Sequence, residues 1–325
     1  MKVLVIIVGA VAMLLAGSAL FTAVYARVME ARYPPTGRFL EVDGRRLHYV
    51  DRSLGAGVPR ATIVLLHGAS SNLVEAMLGL GDALSARYRV IAFDRPGHGW
   101  SERGPGIGAA EPADQARVIA EGLRQLGVQH ALVIGHSWAG AILPHLALDH
   151  KDVTGGILVL SGATYPWPGG EISWYHRLAG SPAGRAVAAT IATPLALLIF
   201  RAVAEQSFAP QIMPSDFIER AHLGLLLRPE TMLANGRDVA VLHEAVERQS
   251  RRYGEIDVPA TVIGGDADDV VWTDLHSRSF ARDVPGTELV ILPGIGHMPH
   301  YARGDLVRAR VDALTARMAG PRLVK

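Results

Sequence analysis

A chain of 325 residues with 49% hydrophobic residues, 19% charged residues and a net charge of +1 has enough material for one large core with an insertion. Its cations are scattered, and no basic run is interleaved with aromatics, which argues against nucleic acid as a partner. The absence of cysteine excludes disulfides, thiolate catalysis and cysteine-ligated zinc, and fits a reducing or an oxidising compartment equally.

The first element is Val3 to Tyr25, 23 residues without a charge, preceded by Lys2 and followed by Arg27, Glu30 and Arg32. Crossing bilayer hydrocarbon takes about 20 such residues. A signal-peptide core usually runs about 7–15 residues, so residues 1–26 are expected to form an uncleaved transmembrane anchor. The alternative is a cleaved signal, with Gly17-Ser18-Ala19 or Val24-Tyr25-Ala26 as the small-residue site and a secreted product. A buried core helix is a poorer account, because the run has no polar face. Lys2 argues for an inside N-terminus while Arg27 and Arg32 argue the reverse, and the expectation adopted is a periplasmic catalytic domain.

Residues 27–37, with Pro34, Pro35 and Gly37, are expected to link the anchor to the folded part. Phe39 to Val42 and Arg46 to Val50 flank Asp43-Gly44, a strong hairpin signal. Short apolar runs follow at Ala61 to Leu66, Arg89 to Phe93, Ala131 to Ile134, Gly156 to Leu160, Ala260 to Ile263 and Glu288 to Leu292. Helical patterns alternate with them at Leu73 to Ala86, Asp114 to Leu126, Ala139 to Leu148 and Asp305 to Met318. That alternation predicts βαβ units and a mostly parallel sheet flanked by helices. Residues 165–252 contain no convincing strand and predict a helical cap, inserted between core segments 38–164 and 253–325. Within the cap, the apolar stretch Ala186 to Phe200 is expected to break at Pro194. Its apolar face could line a pocket, pack on the main domain or touch a bilayer beside the anchor.

The chemistry concentrates where the strands stop. Ala131 to Ile134 runs through Gly135-His136 into Ser137, then Trp138-Ala139-Gly140, an apolar strand leading into a serine between small residues and on into a helix. Small residues on either side allow the sharp turn of a nucleophile elbow, although Ala139 stands where the G-x-S-x-G pattern has glycine. A serine at its free pKa is a poor nucleophile and needs a base. His297, in the glycine-rich loop after the last apolar strand, is the candidate, with His300 as local rival. His67 and His136 read as structural, bonding backbone groups. A third group must orient the histidine, and Asp266, Asp268 and Asp269 all follow the seventh strand. That acidic cluster lacks the glycine and distal glutamate of a calcium loop, so no metal is assigned to it. The backbone N–H of Trp138 is one candidate oxyanion donor, and its partner should come from the loop His67-Gly68-Ala69-Ser70.

From about Phe39 to Met318 the chain resembles the α/β-hydrolase superfamily, including Asp94-Arg95-Pro96-Gly97-His98-Gly99-Trp100-Ser101 after the fourth strand. The resemblance implies an eight-stranded, mostly parallel sheet and the chain order Ser, Asp, His. Its pattern of glycine, two residues, then aspartate selects Asp268, with Asp269 as fallback, and its His-Gly-X turn selects Ala69 as the second oxyanion donor. The nearest branch is that of epoxide hydrolases and haloalkane dehalogenases, in which a His-Asp-Trp-Gly elbow is common. Here Ser137 stands where those enzymes need aspartate to form an alkyl ester intermediate, so acyl chemistry fits better.

The expectation is therefore a cofactor-independent serine hydrolase cleaving an apolar, ester-like small molecule through Ser137, His297 and Asp268. Carbon–carbon, amide or lactone cleavage and perhydrolysis stay open on the same residues. So does a non-catalytic ligand-binding protein of the same fold. The anchor together with the apolar cap stretch raises the further expectation of a lipid or hydrophobic ester as substrate.

Overall fold

The computed structural model describes residues 1–55, 59–170, 176 and 178–319. Eight strands form one sheet: β1 (Arg38–Val42), β2 (Arg45–Arg52), β3 (Thr62–Leu66), β4 (Arg89–Phe93), β5 (Ala131–His136), β6 (Thr154–Leu160), β7 (Ala260–Gly265) and β8 (Glu288–Leu292). Their spatial order is β1-β2-β4-β3-β5-β6-β7-β8, antiparallel from β1 through β2 to β4 and parallel elsewhere. The hairpin closes through Asp43 and Gly44, both at positive φ, with Val42 opposite Arg45. That two-residue turn matches the right-handed twist of the flanking strands.

Both faces of the parallel region are covered, so its strands alternate between two apolar layers. Val64 and Leu66 face one cluster with Phe93, Val133 and Val262, while Ile63 and Leu65 face another with Val90, Leu132 and Leu158. This explains why the strands read as unbroken apolar runs. The main helices are α1 (Lys2–Arg32), α2 (Pro112–Gln125), α3 (Leu143–Asp149), α4 (Pro182–Phe208), α5 (Pro229–Ser250) and α6 (Gly304–Ala319). Another helical stretch covers residues 73–84 between β3 and β4. Loops leaving the C-terminal ends of the parallel strands share one edge, the position where open α/β sheets place their sites.

Two expectations need correction. Half of the segment read as linker is helical: α1 continues to Arg32, and only then do Pro34 and Pro35 stop it. Pro194 does not break the cap stretch either, for α4 runs continuously from Pro182 to Phe208, with a π turn at Ala188–Ala192 just before the proline. A proline has no N–H for the carbonyl four residues earlier, here Thr190. That carbonyl accepts instead from two hydroxyls of α1, Ser18 Oγ at 3.0 Å and Thr22 Oγ1 at 2.7 Å.

The rest of α1 is tied down farther along. Tyr25 donates to the Gly224 carbonyl, Glu30 faces Arg228 at 3.4 Å, Tyr33 stacks on His222, and Trp100 Nε1 donates to the Tyr33 carbonyl. The N-terminal part, Val3 to Leu15, is exposed. One N-terminal helix is thus long and apolar enough to cross a membrane, and its C-terminal portion docks on the cap.

Candidate active site

β5 ends at His136, and Ser137 follows at φ +53°. Left-handed backbone is costly for a residue with a Cβ and persists only where its surroundings enforce it. Here they are small and close: a Cβ on Gly140 would lie 2.6 Å from Gly162 Cα, one on Gly135 would lie 2.9 Å from the Ala139 carbonyl oxygen, and one on Gly68 would lie 2.9 Å from Ser137 Cβ. Ala139 is fully buried. The strand therefore turns sharply into a 3-10 turn at Ser137–Ala141 that leads on to α3.

The loops after β7 and β8 meet this turn. His297 Nε2 lies 2.8 Å from Ser137 Oγ, and His297 Nδ1 lies 2.9 Å from Asp268 Oδ2. A carboxylate accepts from Nδ1–H, which leaves Nε2 free to accept the serine proton. The other carboxylate oxygen of Asp268 accepts the N–H groups of Val270 at 3.0 Å and Val271 at 2.9 Å, so its orientation is fixed. The rival residues lie elsewhere: Asp269 is exposed, Asp266 accepts from the Gly294 N–H, and His300 Nε2 pairs with Glu75 Oε1 at 2.9 Å. His136 and His67 bond backbone groups, the former at the His297 carbonyl and the latter at the Gly68 carbonyl and the Arg95 N–H.

Trp138 N–H belongs to the first turn after the serine, where a helix leaves donors without intrahelical partners. Ala69 lies in the loop held against Ser137 by Gly68. Its neighbour Ser70, at φ +53°, gives its N–H to Asn235 Oδ1 of the cap helix α5 at 2.7 Å.

One set of residues was missed in sequence. Arg95, fully buried, donates to the carbonyls of His67 and Gly68, to Gln115 Oε1 and to Asp238 Oδ2 of α5 at 2.7 Å. Its guanidinium lies over the Trp138 ring, 4.3 Å from the centroid, and Trp138 Nε1 donates to the Asp238 carbonyl. Arg103 reaches the second Asp238 oxygen at 2.6 Å. The cluster joins both candidate oxyanion residues to the cap. Its only signal in sequence was an arginine inside an apolar-flanked turn. A second cluster, Glu75, His136 and His300, brings three potential metal-ligand atoms within 4.8 Å of one another. Two of its ring nitrogens, however, are engaged with Glu75 and with the His297 carbonyl, so it braces the histidine loop.

The alpha/beta hydrolase family matches residues 63–310. Haloalkane dehalogenase 2 of Mycobacterium tuberculosis is 34% identical over 154 residues, which is 46% of this chain and 50% of that protein. The chain thus spans about half the length of that relative. Among solved structures, the enol-lactonase from Burkholderia xenovorans LB400 superposes with a TM-score of 0.65 at 21% identity, covering 86% of this chain and 100% of its own. A membrane phospholipase A described as a bacterial virulence factor superposes with a TM-score of 0.68 at 19% identity, covering 98% of each chain.

Desolvation, reinforced by neighbouring Arg95 for His67 and His98 and by His300 for His136, holds these three imidazoles well below the ordinary histidine range, and burial brings His276 down to about 4. The unfolded chain takes up protons near pH 6.5 that the fold refuses, so stability is full above that pH and lost as pH falls below it. The thermal midpoint should drop between about pH 7 and pH 5; an unchanged midpoint contradicts neutral burial. Asp238→Asn should cost about 3–5 kcal/mol in denaturant unfolding, because it strands two buried guanidinium groups; a loss under about 1 kcal/mol would show the pair to be dispensable.

Proposed function

The chain belongs to the alpha/beta hydrolase family, and on that premise we propose that it is a serine hydrolase cleaving a carboxylic ester through an acyl-enzyme intermediate. The observation that carries this reading is the continuous path Ser137 Oγ, His297, Asp268, with 2.8 Å and 2.9 Å steps, at a serine in left-handed backbone. Ser137 Oγ adds to the ester carbonyl carbon while its proton passes to His297 Nε2. Asp268 holds the ring and balances its charge. The N–H groups of Trp138 and Ala69 receive the oxyanion. Collapse of the adduct breaks the bond to the alcohol oxygen, which takes the proton from His297. Water then repeats both steps on the acyl-enzyme, releasing a carboxylic acid and regenerating the serine.

A hydrophobic, lipid-like ester is the substrate class that the surroundings favour. The end of α1 and Tyr33 bond to the cap and to Trp100; cleavage after Ala19 would take one donor from the Thr190 carbonyl, and cleavage after Ala26 would take both of them and the donor to Gly224, which favours a retained anchor. Anchoring keeps the enzyme at a lipid surface. The similarity to a membrane phospholipase A over nearly the whole chain supports the same reading.

Ser137→Ala should lower turnover of short p-nitrophenyl esters by about 10⁴-fold or more, and Asp268→Asn by about 10²–10⁴-fold, with Asp269→Asn near the parent rate. Undiminished turnover by folded Ser137→Ala would contradict the assignment.

A further inference from the structure

Beside α1 the chain has a second long apolar helix, α4, and only 11% of its most apolar window is buried. A core helix would be covered and a signal sequence would be N-terminal, so neither explains it. Ala186 to Phe200 carry no charge and are bounded by Arg185 and Arg201. Leu195, Leu198, Ile199 and Val203 are each more than half exposed, Leu198 at 81%. Among described residues no other element outside α1 carries as many exposed large hydrophobic side chains.

Where α4 meets α1 decides what covers it. The contact is the Thr190 carbonyl, left without its usual donor by Pro194 and satisfied by Ser18 and Thr22. Those two residues lie three to seven positions before the end of the uncharged run at Tyr25, or about 5–10 Å inside it at the helical rise. If α1 spans the bilayer, the Thr190 carbonyl lies at that depth. An orphan carbonyl in hydrocarbon has no water to bond and must be satisfied within the protein, and hydroxyls of a neighbouring helix are the usual donors.

We propose that α4 lies in the hydrocarbon of the leaflet that holds the C-terminal end of α1, packed against it, with lipid acyl chains as the partner covering Leu195, Leu198, Ile199 and Val203. Both ends of α4 return to the cap, so it is an in-plane element and not a second crossing. Its C-terminal residue Phe208 packs with Met213, Phe217 and Met298, and Met298 adjoins His297. On the esterase reading above, on which this consequence alone rests, α4 leads from the acyl region toward the reacting groups.

The cysteine-free chain allows a direct test. Full-length protein carrying Leu198→Cys or Leu195→Cys is spin-labelled and reconstituted in phosphatidylcholine vesicles, with Lys151→Cys, on an exposed loop, as the aqueous reference. The ratio of oxygen to nickel-chelate accessibility at 198 and 195 should exceed that at 151 by about tenfold. A ratio equal to that at 151 would place α4 in water and overturn the proposal. Low accessibility to both reagents that rises as the protein is diluted in lipid would mean that a second copy covers the face, and would equally overturn it. The readout does not depend on catalysis. Retained hydrolysis of a dissolved ester with a water-like ratio defeats only the placement of α4, and the converse defeats only the esterase reading.

Discussion

The strained turn at Ser137 is the constraint around which the site is assembled. A serine at φ +53° survives only because glycines at 68, 135, 140 and 162 let three neighbouring segments close on it. Those segments are the loop after β3, the start of the helical run after β5, and the strand end of β6. The turn brings the serine hydroxyl within 2.8 Å of a histidine delivered from the far side of the sheet. Loops at one edge of a parallel sheet converge without any one element having to bend far.

Around that turn, buried charge joins the core to the cap. Arg95 holds the carbonyls of the loop that carries Ala69, lies on the ring of Trp138, and pairs with Asp238 of α5. Both candidate oxyanion donors are thus braced by a single guanidinium whose counter-ion belongs to the cap. A shift of the cap helix would move the counter-ion, and the donors are coupled to cap position for that reason. The cap in turn is bonded to α1 through Thr190, Gly224 and Arg228, so a physical path runs from the N-terminal helix to the serine.

Much of this was legible in the residues. The apolar runs mark the six strands β3 to β8 because cover on both faces removes alternation, and Asp43-Gly44 marks the hairpin of β1 and β2 because that turn needs positive φ at both positions. Ser137 and His297 stood out by sitting in small-residue loops at strand ends. The pattern of the resembled family selects Asp268 over Asp269, and Asp268 lies against His297 while Asp269 is exposed. What could not be read were partnerships between distant segments. Arg95 and Asp238 are separated by 143 positions, and neither carries a local pattern that names the other. Pro194 looked like a break because the rescue of its orphaned carbonyl depends on Ser18 and Thr22, two hydroxyls in an apolar run that otherwise pass as helix-tolerated residues.

The role proposed for Ser137 is that of a nucleophile activated by His297. The most direct measurement is reaction of the folded full-length chain with a fluorophosphonate, followed by intact-mass analysis and peptide mapping. A single adduct should form on Ser137, at a rate that collapses in His297→Ala. A folded protein that takes up no probe, or is labelled at another serine, would contradict it.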